Sequence, residues 1–330
     1  MPTTDLNAMT QPPLGALLRI LAAQEYRFVT VSPATHARVV ARDGRHVAHD
    51  LRDILGWSLP FRADAVPAEI LALLEAGGAV RSVAGGLLQA TVRVSCVHGL
   101  LFLHSAYPTT EADAVFLGPD SYRFADLIMA DSGTLPAGAR ILDYGAGAGV
   151  GGIVAARHQP DARLTLADIN PRALFLASIN AAHAGVRHET VAASSPDAVT
   201  GAYDLIVANP PFMMDHDRRA YRDGGDLHGA RLSLDWVLAG VGKLTPGGRL
   251  ILYTGVAIVD GRDALLDALR RRLPDEGLRC RYRELDPDIF GEELDQPAYA
   301  EVERIAAVGL CVERRTDQAV AGTTWGSRSG

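Results

Sequence analysis

Residues 141–149 read ILDYGAGAG, and the fold of the whole chain is best interpreted from this stretch. A short apolar run ends in three alternating glycines, and a segment that favours a helix follows. Glycine can adopt the left-handed backbone of a sharp turn, and it lets a ligand approach where a Cβ would collide. The free N–H groups at the start of the next helix then face that ligand. The stretch therefore predicts a strand, a ligand-binding turn and a helix.

From about residue 138 onwards, strand-like and helix-like segments alternate, which is typical of a parallel sheet flanked by helices. The expected strands cover 140–144, 163–168, 188–192, 203–208, 249–255, 278–285 and 304–313, and the expected helices lie near 150–158, 171–184, 230–243 and 261–272. Only a short helix would fit between the last two strands. We therefore expect these two strands to close the sheet as an antiparallel pair.

The first 115 residues follow a different pattern. Leucines recur with helical spacing over residues 14–21, a second helix begins near Pro67, and residues 87–107 resemble two strands with a turn near His98-Gly99. This order predicts a small α+β domain, for which a winged-helix-like arrangement is one option. The predicted division is a disordered N-terminus at 1–12, an accessory or substrate-recognition domain at 13–115, an α/β domain at 116–314 and a flexible tail at 315–330.

The composition is that of an ordinary globular protein, with 48% hydrophobic and 22% charged residues. No apolar run reaches the roughly 18 residues of a membrane span, and no signal peptide is visible, so we expect a cytoplasmic protein. The net charge of −7 weighs against a protein held mainly by a nucleic-acid backbone. The three cysteines lie far apart, which argues against a disulfide framework or a zinc site.

Two carboxylates near the glycine turn help to identify its ligand. Residues 147–152 satisfy GxGxxG, so a dinucleotide is one alternative. Asp168 ends the second strand, where a carboxylate can accept hydrogen bonds from ribose hydroxyls of either NAD or S-adenosylmethionine (SAM). Asp143 would repel a pyrophosphate, whereas a sulfonium cation favours a nearby anion. The pair therefore favours SAM over NAD, with a plain tight turn and two solvated carboxylates as the structural alternative.

The fourth strand ends in Asn209-Pro210-Pro211-Phe212, at the edge of the sheet where open parallel sheets bind ligands. The Asn209 side-chain oxygen and the Pro210 carbonyl can each accept one N–H of a planar NH2 group, which returns lone-pair density to its nitrogen. Pro211 lacks a competing N–H, and Phe212 offers a flat surface for the target. Asn209, Pro210 and Phe212 are thus the predicted catalytic residues, although Asn-Pro and Pro-Pro also mark ordinary turns.

Together these motifs resemble the class I SAM-dependent methyltransferases of the small-domain group, over roughly residues 116–285. The likeness is greatest to the release-factor glutamine methyltransferases of the HemK/PrmC type and to amino-group RNA methyltransferases. It implies a Rossmann-like sheet, a SAM loop at 143–149, Asp168 as the ribose ligand and 209–212 as the clamp for an amino group. Release-factor enzymes typically carry Tyr in place of Phe212, whereas Phe is common in the ribosomal-RNA guanine enzymes.

Weaker likenesses extend the resemblance to further residues. Residues 118–122 are similar to a Pro-Asp-Thr segment that borders the pocket in this family, which implies that Tyr122 contacts the substrate together with Pro211 and Phe212. Residues 224–226 resemble a glycine-rich stretch after the clamp. The implied cofactor ligands are Asp143, Gly145, Gly147, Gly149, Asp168, Ile169, Ser194 and Asn209.

A further polar segment follows the clamp. Asp215-His216-Asp217 looks like a metal cluster, but adjacent loop residues seldom converge on one ion, so no metal is predicted. Arg218, Arg219 and Arg222 could guide an acidic substrate or simply form a solvated face.

The sequence therefore predicts a SAM-dependent N-methyltransferase that acts on a planar amino or amide nitrogen. A glutamine side chain in a protein is the first choice of acceptor, a base amino group in ribosomal or transfer RNA the second, and a small metabolite the third. A non-catalytic binding module with the same fold is an alternative from a different class. The oligomeric state does not follow from the sequence.

Overall fold

The computed structural model describes residues 11–159, 161–214, 224–274, 277–316 and 323–326. The helices are α1 (Gln11–Ala23), α2 (Pro33–Val40), α3 (Leu51–Leu55), α4 (Ala68–Ala76), α5 (Pro119–Asp131), α6 (Val150–Arg157), α7 (Pro171–His183), α8 (Arg231–Val241) and α9 (Ala264–Arg272). The strands are β1 (Val80–Val83), β2 (Leu87–Ala90), β3 (Val92–Val97), β4 (Leu100–Ser105), β5 (Arg140–Tyr144), β6 (Arg163–Asp168), β7 (His188–Ala192), β8 (Tyr203–Ala208), β9 (Leu244–Val259), β10 (Arg262–Asp263), β11 (Leu278–Asp286), β12 (Arg304–Arg314) and β13 (Thr324–Gly326).

Nine of the strands in the described ranges form one mixed sheet, in the order β13-β11-β12-β9-β8-β5-β6-β7, with β10 paired to β9. Strands β5 to β9 run parallel to one another, and β12 pairs antiparallel with both β9 and β11. The expected parallel sheet with an antiparallel closing pair is therefore confirmed, and so is the α/β class.

Each face of this sheet packs into its own hydrophobic core, as a parallel sheet covered on both faces requires. Ile141 of β5 belongs to the core that includes residues of α5, α6 and α7, whereas its neighbour Leu142 belongs to the core that includes residues of α8 and α9. Alternate side chains of a strand point to opposite faces, so residues 141–144 of β5 are buried on both sides.

The N-terminal region contains helices α1 to α4 and the antiparallel hairpins β1–β2 and β3–β4. An α+β region was expected here, and the winged-helix-like arrangement stays a prediction. The leucines of α1 share one continuous core with Ile141 and Ile153 of the large sheet and its helix α6. Residues 13–115 are therefore packed onto the α/β region through a common core.

The described parts of both predicted flexible ends contain regular structure. Helix α1 already begins at Gln11, inside the stretch expected to be disordered. The predicted tail contains β13, which pairs parallel to β11 with Cys280 opposite Trp325, so backbone hydrogen bonding orders this part. Within the described residues, no helix has the length and apolar character needed to cross a membrane.

One buried amide links the N-terminal region to the glycine turn. The Asn180 side chain on α7 accepts a hydrogen bond from the Leu103 N–H (2.8 Å) and donates to the carbonyls of Leu103 (3.0 Å) and Ala148 (2.9 Å). Since Asn180 is 1% exposed, water cannot easily replace these bonds. Three segments that are distant in the sequence thus meet at one side chain.

Asn180→Ala is expected to lower the free energy of unfolding by roughly 2–4 kcal/mol, because it leaves buried backbone groups without partners. Urea denaturation measures the loss. Ser178→Ala, on the same helix, removes one half-buried hydrogen bond to His188 and serves as the control. Equal losses for the two variants would contradict the linking role of Asn180.

Candidate active site

The pairing of β5 with β8 places the two sequence motifs side by side. In this parallel pair Tyr144 lies opposite Ala208, and these are the last residues of their strands. The glycine turn starts at the next residue of one strand, and the clamp starts with Asn209 at the next residue of the other. The fold therefore brings residues 145–149 and 209–212 to the same edge of the sheet, as predicted.

The glycine turn has the backbone that its sequence predicts. Gly145, Gly147 and Gly149 have φ values of +68°, +54° and +79°, which other residues rarely adopt. The N–H of Gly145 donates to the Ala167 carbonyl (2.8 Å), which ties the turn to β6. A Cβ at Gly145 would lie 2.5 Å from Cη2 of Trp236, so this position also lacks space for a side chain.

A cleft of about 620 Å³ opens at this edge of the sheet, a size typical of small-molecule sites. Ten of the predicted site residues line it: Asp143, Gly145, Gly147, Asp168, Ile169, Ser194, Asn209, Pro210, Pro211 and Phe212. Gly149 does not line the cleft; it caps the N-terminus of α6 in the left-handed conformation. Its role is to shape the turn.

Asp168 lies at the cleft end of β6 with its carboxylate held by backbone donors. Oδ2 accepts from the Gly147 N–H (2.9 Å), and Oδ1 accepts from the Asn170 N–H (2.8 Å). Burial raises the pKa of Asp168, and these N–H donors oppose that rise. Each carboxylate oxygen can accept more than one hydrogen bond, so ribose hydroxyls can still be bound here. The adjacent Ile169 is 60% exposed and offers an apolar surface to a flat ring such as adenine.

Asp143 lines the same cleft but is almost fully enclosed. Its Oδ2 accepts a hydrogen bond from the Gly152 N–H (2.7 Å) in the first turn of α6. Burial raises the pKa of the Asp143 carboxyl to about 7, the hydrogen bond from Gly152 lowers it, and the neighbouring Asp168 raises it. A cation bound beside Asp143 would favour the ionised form.

The clamp residues are held mainly by the packing of Phe212. The ring of Phe212 lies against Gly255 of β9, where a Cβ would come within 2.4 Å of its carbons. Its centroid is 6.0 Å from that of Phe290, with 56° between the ring planes. No hydrogen bond joins the Asn209 side chain to the described parts of the chain, so its amide oxygen is available to a ligand in the cleft.

Tyr122, a predicted substrate contact, packs against the N-terminal region. The Tyr122 hydroxyl accepts a hydrogen bond from the Thr30 N–H (2.9 Å), and Tyr122 does not line the cleft. The reason is the helical phase of α5: Asp120, Ser121 and Phe124 face the cleft, and Tyr122 faces the N-terminal region.

Several cleft residues were not predicted from the sequence. Asp120 is buried in the wall, and its Oδ1 accepts from the Tyr253 hydroxyl (2.6 Å); burial raises the pKa of this carboxyl. Trp236 of α8 packs edge-on against Tyr144. Asp120 had a sequence signal, because it lies in the segment 118–122 that resembles the family, whereas Trp236 had none.

The N-terminal region and the chain that leads out of it supply another wall of the cleft. Pro33, the first residue of α2, lines it together with Tyr107 and Pro108. The buried His36 ring stacks on Tyr107 with a centroid distance of 3.9 Å. Residues before the α/β region therefore form part of the cleft wall.

No group of three His, Cys, Asp or Glu residues that could hold a metal occurs in the described segments. The segment Asp215-His216-Asp217 and the arginines at 218, 219 and 222 lie outside the described residues.

Comparison with protein families identifies the segment that carries this geometry. Residues 127–227 match the family model of the methyltransferase small domain. The matched segment contains the glycine turn, Asp168 and residues 209–212. The resemblance to the methyltransferase small domain that the sequence predicted is therefore confirmed over this segment.

Two similar curated proteins are methyltransferases. A release factor glutamine methyltransferase from Deinococcus radiodurans is 33% identical over 158 residues, which is 47% of this chain and 55% of that protein. A ribosomal RNA small subunit methyltransferase C from Shigella flexneri serotype 5b is 41% identical over 73 residues, or 22% of this chain and 21% of that protein. The chain thus covers about half of the first relative and a fifth of the second.

A solved structure of T. thermophilus 16S rRNA N2 G1207 methyltransferase, in complex with AdoMet and guanosine, aligns with a TM-score of 0.43 at 15% identity. The alignment covers 78% of this chain and 64% of that chain.

Gly145→Ala is expected to lose roughly 2–4 kcal/mol of unfolding free energy, because the new Cβ meets both an unfavourable φ and the Trp236 ring. Gly138→Ala is the matched control, since Gly138 has φ +71° but no atom near its Cβ position, and about 1–2 kcal/mol is expected there. Denaturant unfolding compares them. Equal losses would show that Trp236 does not restrict the turn.

Asp143 is expected to make stability pH-dependent. Because its pKa is higher in the folded protein than in the unfolded chain, the folded state binds the proton more tightly, and stability falls as the pH rises from about 4 to about 7. Asp143→Asn removes this effect. The free energy of unfolding of the variant minus that of the unchanged protein should therefore be roughly 2–3 kcal/mol larger at pH 8 than at pH 5.

Guanidinium unfolding without cofactor at the two pH values measures this difference. Asp64→Asn is the control, because it makes the same chemical change at an exposed residue. Its stability relative to the unchanged protein is expected to be nearly the same at pH 5 and pH 8. A stability difference for Asp143→Asn that is identical at pH 5 and pH 8 would contradict the pKa assigned to Asp143.

Proposed function

We propose that this chain, which carries a methyltransferase small domain, transfers the methyl group of SAM to a planar amino or amide nitrogen. The observation that carries the proposal is the register of β5 and β8, which places Asn209 beside Gly145. The cofactor loop and the clamp then open into one cleft. A methyl donor and a nitrogen acceptor bound there would lie next to each other.

The cofactor is expected in the part of the cleft formed by β5 and β6. Asp168 would accept hydrogen bonds from the ribose hydroxyls, and Ile169 and Ser194 would flank the adenine. Gly145 and Gly147 let the methionine portion approach the backbone. When bound, SAM supplies an electrophilic methyl group on a sulfonium, next to the anion of Asp143.

The acceptor nitrogen is expected at the clamp. An amide or base NH2 attacks poorly because its lone pair is delocalised. The Asn209 oxygen and the Pro210 carbonyl would each accept one of its N–H bonds and hold the nitrogen in line with the S–CH3 bond. Pro211 and Phe212 would support the plane of the acceptor. Transfer would exchange the S–CH3 bond for an N–CH3 bond, leave the cofactor as a neutral thioether and release the proton of the nitrogen to water.

A glutamine side chain in a protein is the first choice of acceptor. The relative named as a release factor glutamine methyltransferase matches over 158 residues, compared with 73 for the relative named as a ribosomal RNA enzyme. An amino group of ribosomal or transfer RNA is the second choice, favoured by Phe212, and a small metabolite is the third. Both macromolecular acceptors occur in the cytoplasm, which is the location that we propose.

The acceptor class can be tested with radiolabelled SAM and a lysate of the host. If protease removes the label and RNase does not, the acceptor is a protein. If RNase removes the label and protease does not, the acceptor is RNA. Methylation of RNA should also fall steeply with added salt, since the phosphate backbone releases its counterions on binding. SAM or its demethylated product should bind in isothermal titration, and no binding at millimolar ligand would exclude the cofactor.

Asn209→Ala and Asp168→Ala should have opposite effects. Asn209→Ala is expected to slow methyl transfer roughly 100-fold or more with little change in SAM affinity, because only the clamp is lost. Asp168→Ala is expected to weaken SAM binding first. Label transfer and isothermal titration measure the two quantities separately. Asn209→Asp keeps an acceptor oxygen and should retain more activity than Asn209→Ala. If SAM affinity and methyl transfer fell together in both alanine variants, the proposed role of Asn209 in holding the acceptor would be refuted.

A further inference from the structure

The connection between β11 and β12, residues 287–303, returns from the far part of the sheet to the cleft. Its start is fixed by the Ile289 N–H, which donates to the Ile305 carbonyl (2.8 Å), and its end by the Glu303 N–H, which donates to the Ile258 carbonyl (2.9 Å). Both anchors lie on strands of the main sheet. The connection is thus held at both ends, and Phe290 and Tyr299, which lie between these anchors, contact the clamp region.

Tyr299 attaches this connection to the residues that directly follow the clamp. It is 2% exposed; its hydroxyl accepts from the Met214 N–H (2.8 Å) and donates to Sδ of Met213 (3.4 Å). Because Met213 is the next residue after Phe212, the position of the connection and that of the clamp depend on each other.

Phe290 is the residue of this connection that enters the cleft. It lines the cleft wall, and its backbone has a φ of +53°, a conformation that bulky residues rarely adopt. Such a strained backbone persists only where the surrounding structure holds it. Here the Glu293 N–H donates to the Phe290 carbonyl (2.9 Å), and the ring packs against Phe212. These contacts hold the Phe290 ring beside the clamp despite the strained backbone.

The two rings form an aromatic corner, which we define as Phe212 and Phe290. With their centroids 6.0 Å apart and 56° between their planes, the rings contact each other directly. A flat group cannot enter between them, but it can lie in the angle that they form, with its face on one ring and its edge on the other. Phe212 cannot move away from this corner easily, because Gly255 packs against its other carbons.

We propose that Phe290 is a second aromatic contact for the methyl acceptor and that the aromatic corner selects acceptors whose nitrogen lies on a flat, π-bonded group. The inference rests on the proposed function. A carboxamide or a nucleobase presents such a face, whereas an aliphatic ammonium group presents a tetrahedral nitrogen with no face to lie on a ring. Phe290 therefore acts on acceptor binding and positioning, and the cofactor site stays independent of it.

Three variants of the full chain test this role. Phe290→Leu keeps the apolar bulk and removes the aromatic face, and Phe290→Tyr keeps the face. Phe175→Leu is the matched control, because Phe175 is a half-buried phenylalanine of the same core on α7 that does not line the cleft. Each is measured for SAM affinity by isothermal titration, and for label transfer from SAM over a dilution series of host lysate.

Phe290→Leu should lose roughly fivefold to tenfold in label transfer at limiting lysate, the size expected for an aromatic contact, with SAM affinity within about twofold of the unchanged protein. Phe290→Tyr should recover most of the transfer, and Phe175→Leu should not lose it. Transfer by Phe290→Leu equal to that of Phe175→Leu would overturn the proposal, and so would a loss in Phe290→Tyr as large as that in Phe290→Leu.

If Phe290→Leu does not fold, Phe290→Gly replaces it in the same measurements, since glycine accepts the positive φ without strain. It should bind SAM normally and transfer label as poorly as Phe290→Leu is expected to; normal transfer would overturn the proposal. Absence of label transfer by the unchanged protein is a separate result, which would refute the proposed function and this role of Phe290 together.

Discussion

The parallel pairing of β5 and β8 is the constraint on which the rest of the site depends. It aligns Tyr144 with Ala208, so the two strands end at the same level and their next residues begin the glycine turn and the clamp. Neither motif forms a site by itself: a glycine turn binds many ligands, and an Asn-Pro-Pro-Phe turn binds none in particular. Their alignment turns two local signals into one cleft with room for a donor and an acceptor.

The remainder of the fold holds this edge of the sheet in place from several directions. Asn180 joins the Ala148 carbonyl of the glycine turn to the β3–β4 hairpin of the N-terminal region. On the other side, Tyr299 joins the β11–β12 connection to the residues after the clamp. The N-terminal region also supplies Pro33 to the cleft wall. Parts of the chain that precede and follow the matched domain therefore complete the site.

The sequence was sufficient to predict those features that depend on a few neighbouring residues. Strand β5, the left-handed glycines and the clamp follow from residue types with narrow conformational preferences, and their place at one sheet edge follows from parallel topology. The position of Tyr122 outside the cleft did not follow from the sequence, because the phase of α5 is set by its packing against the N-terminal region. Phe290 carried no signal, since the β11–β12 connection has neither period nor motif and reaches the cleft only through tertiary contacts.

The most direct test of the central claim is a crystal structure of the full chain with S-adenosylhomocysteine, the demethylated cofactor. We expect its ribose hydroxyls on Asp168, and its sulfur directed towards the space between Asn209 and Phe212, where the acceptor nitrogen would lie. A cofactor bound elsewhere, or a sulfur that faces away from residues 209–212, would contradict the account.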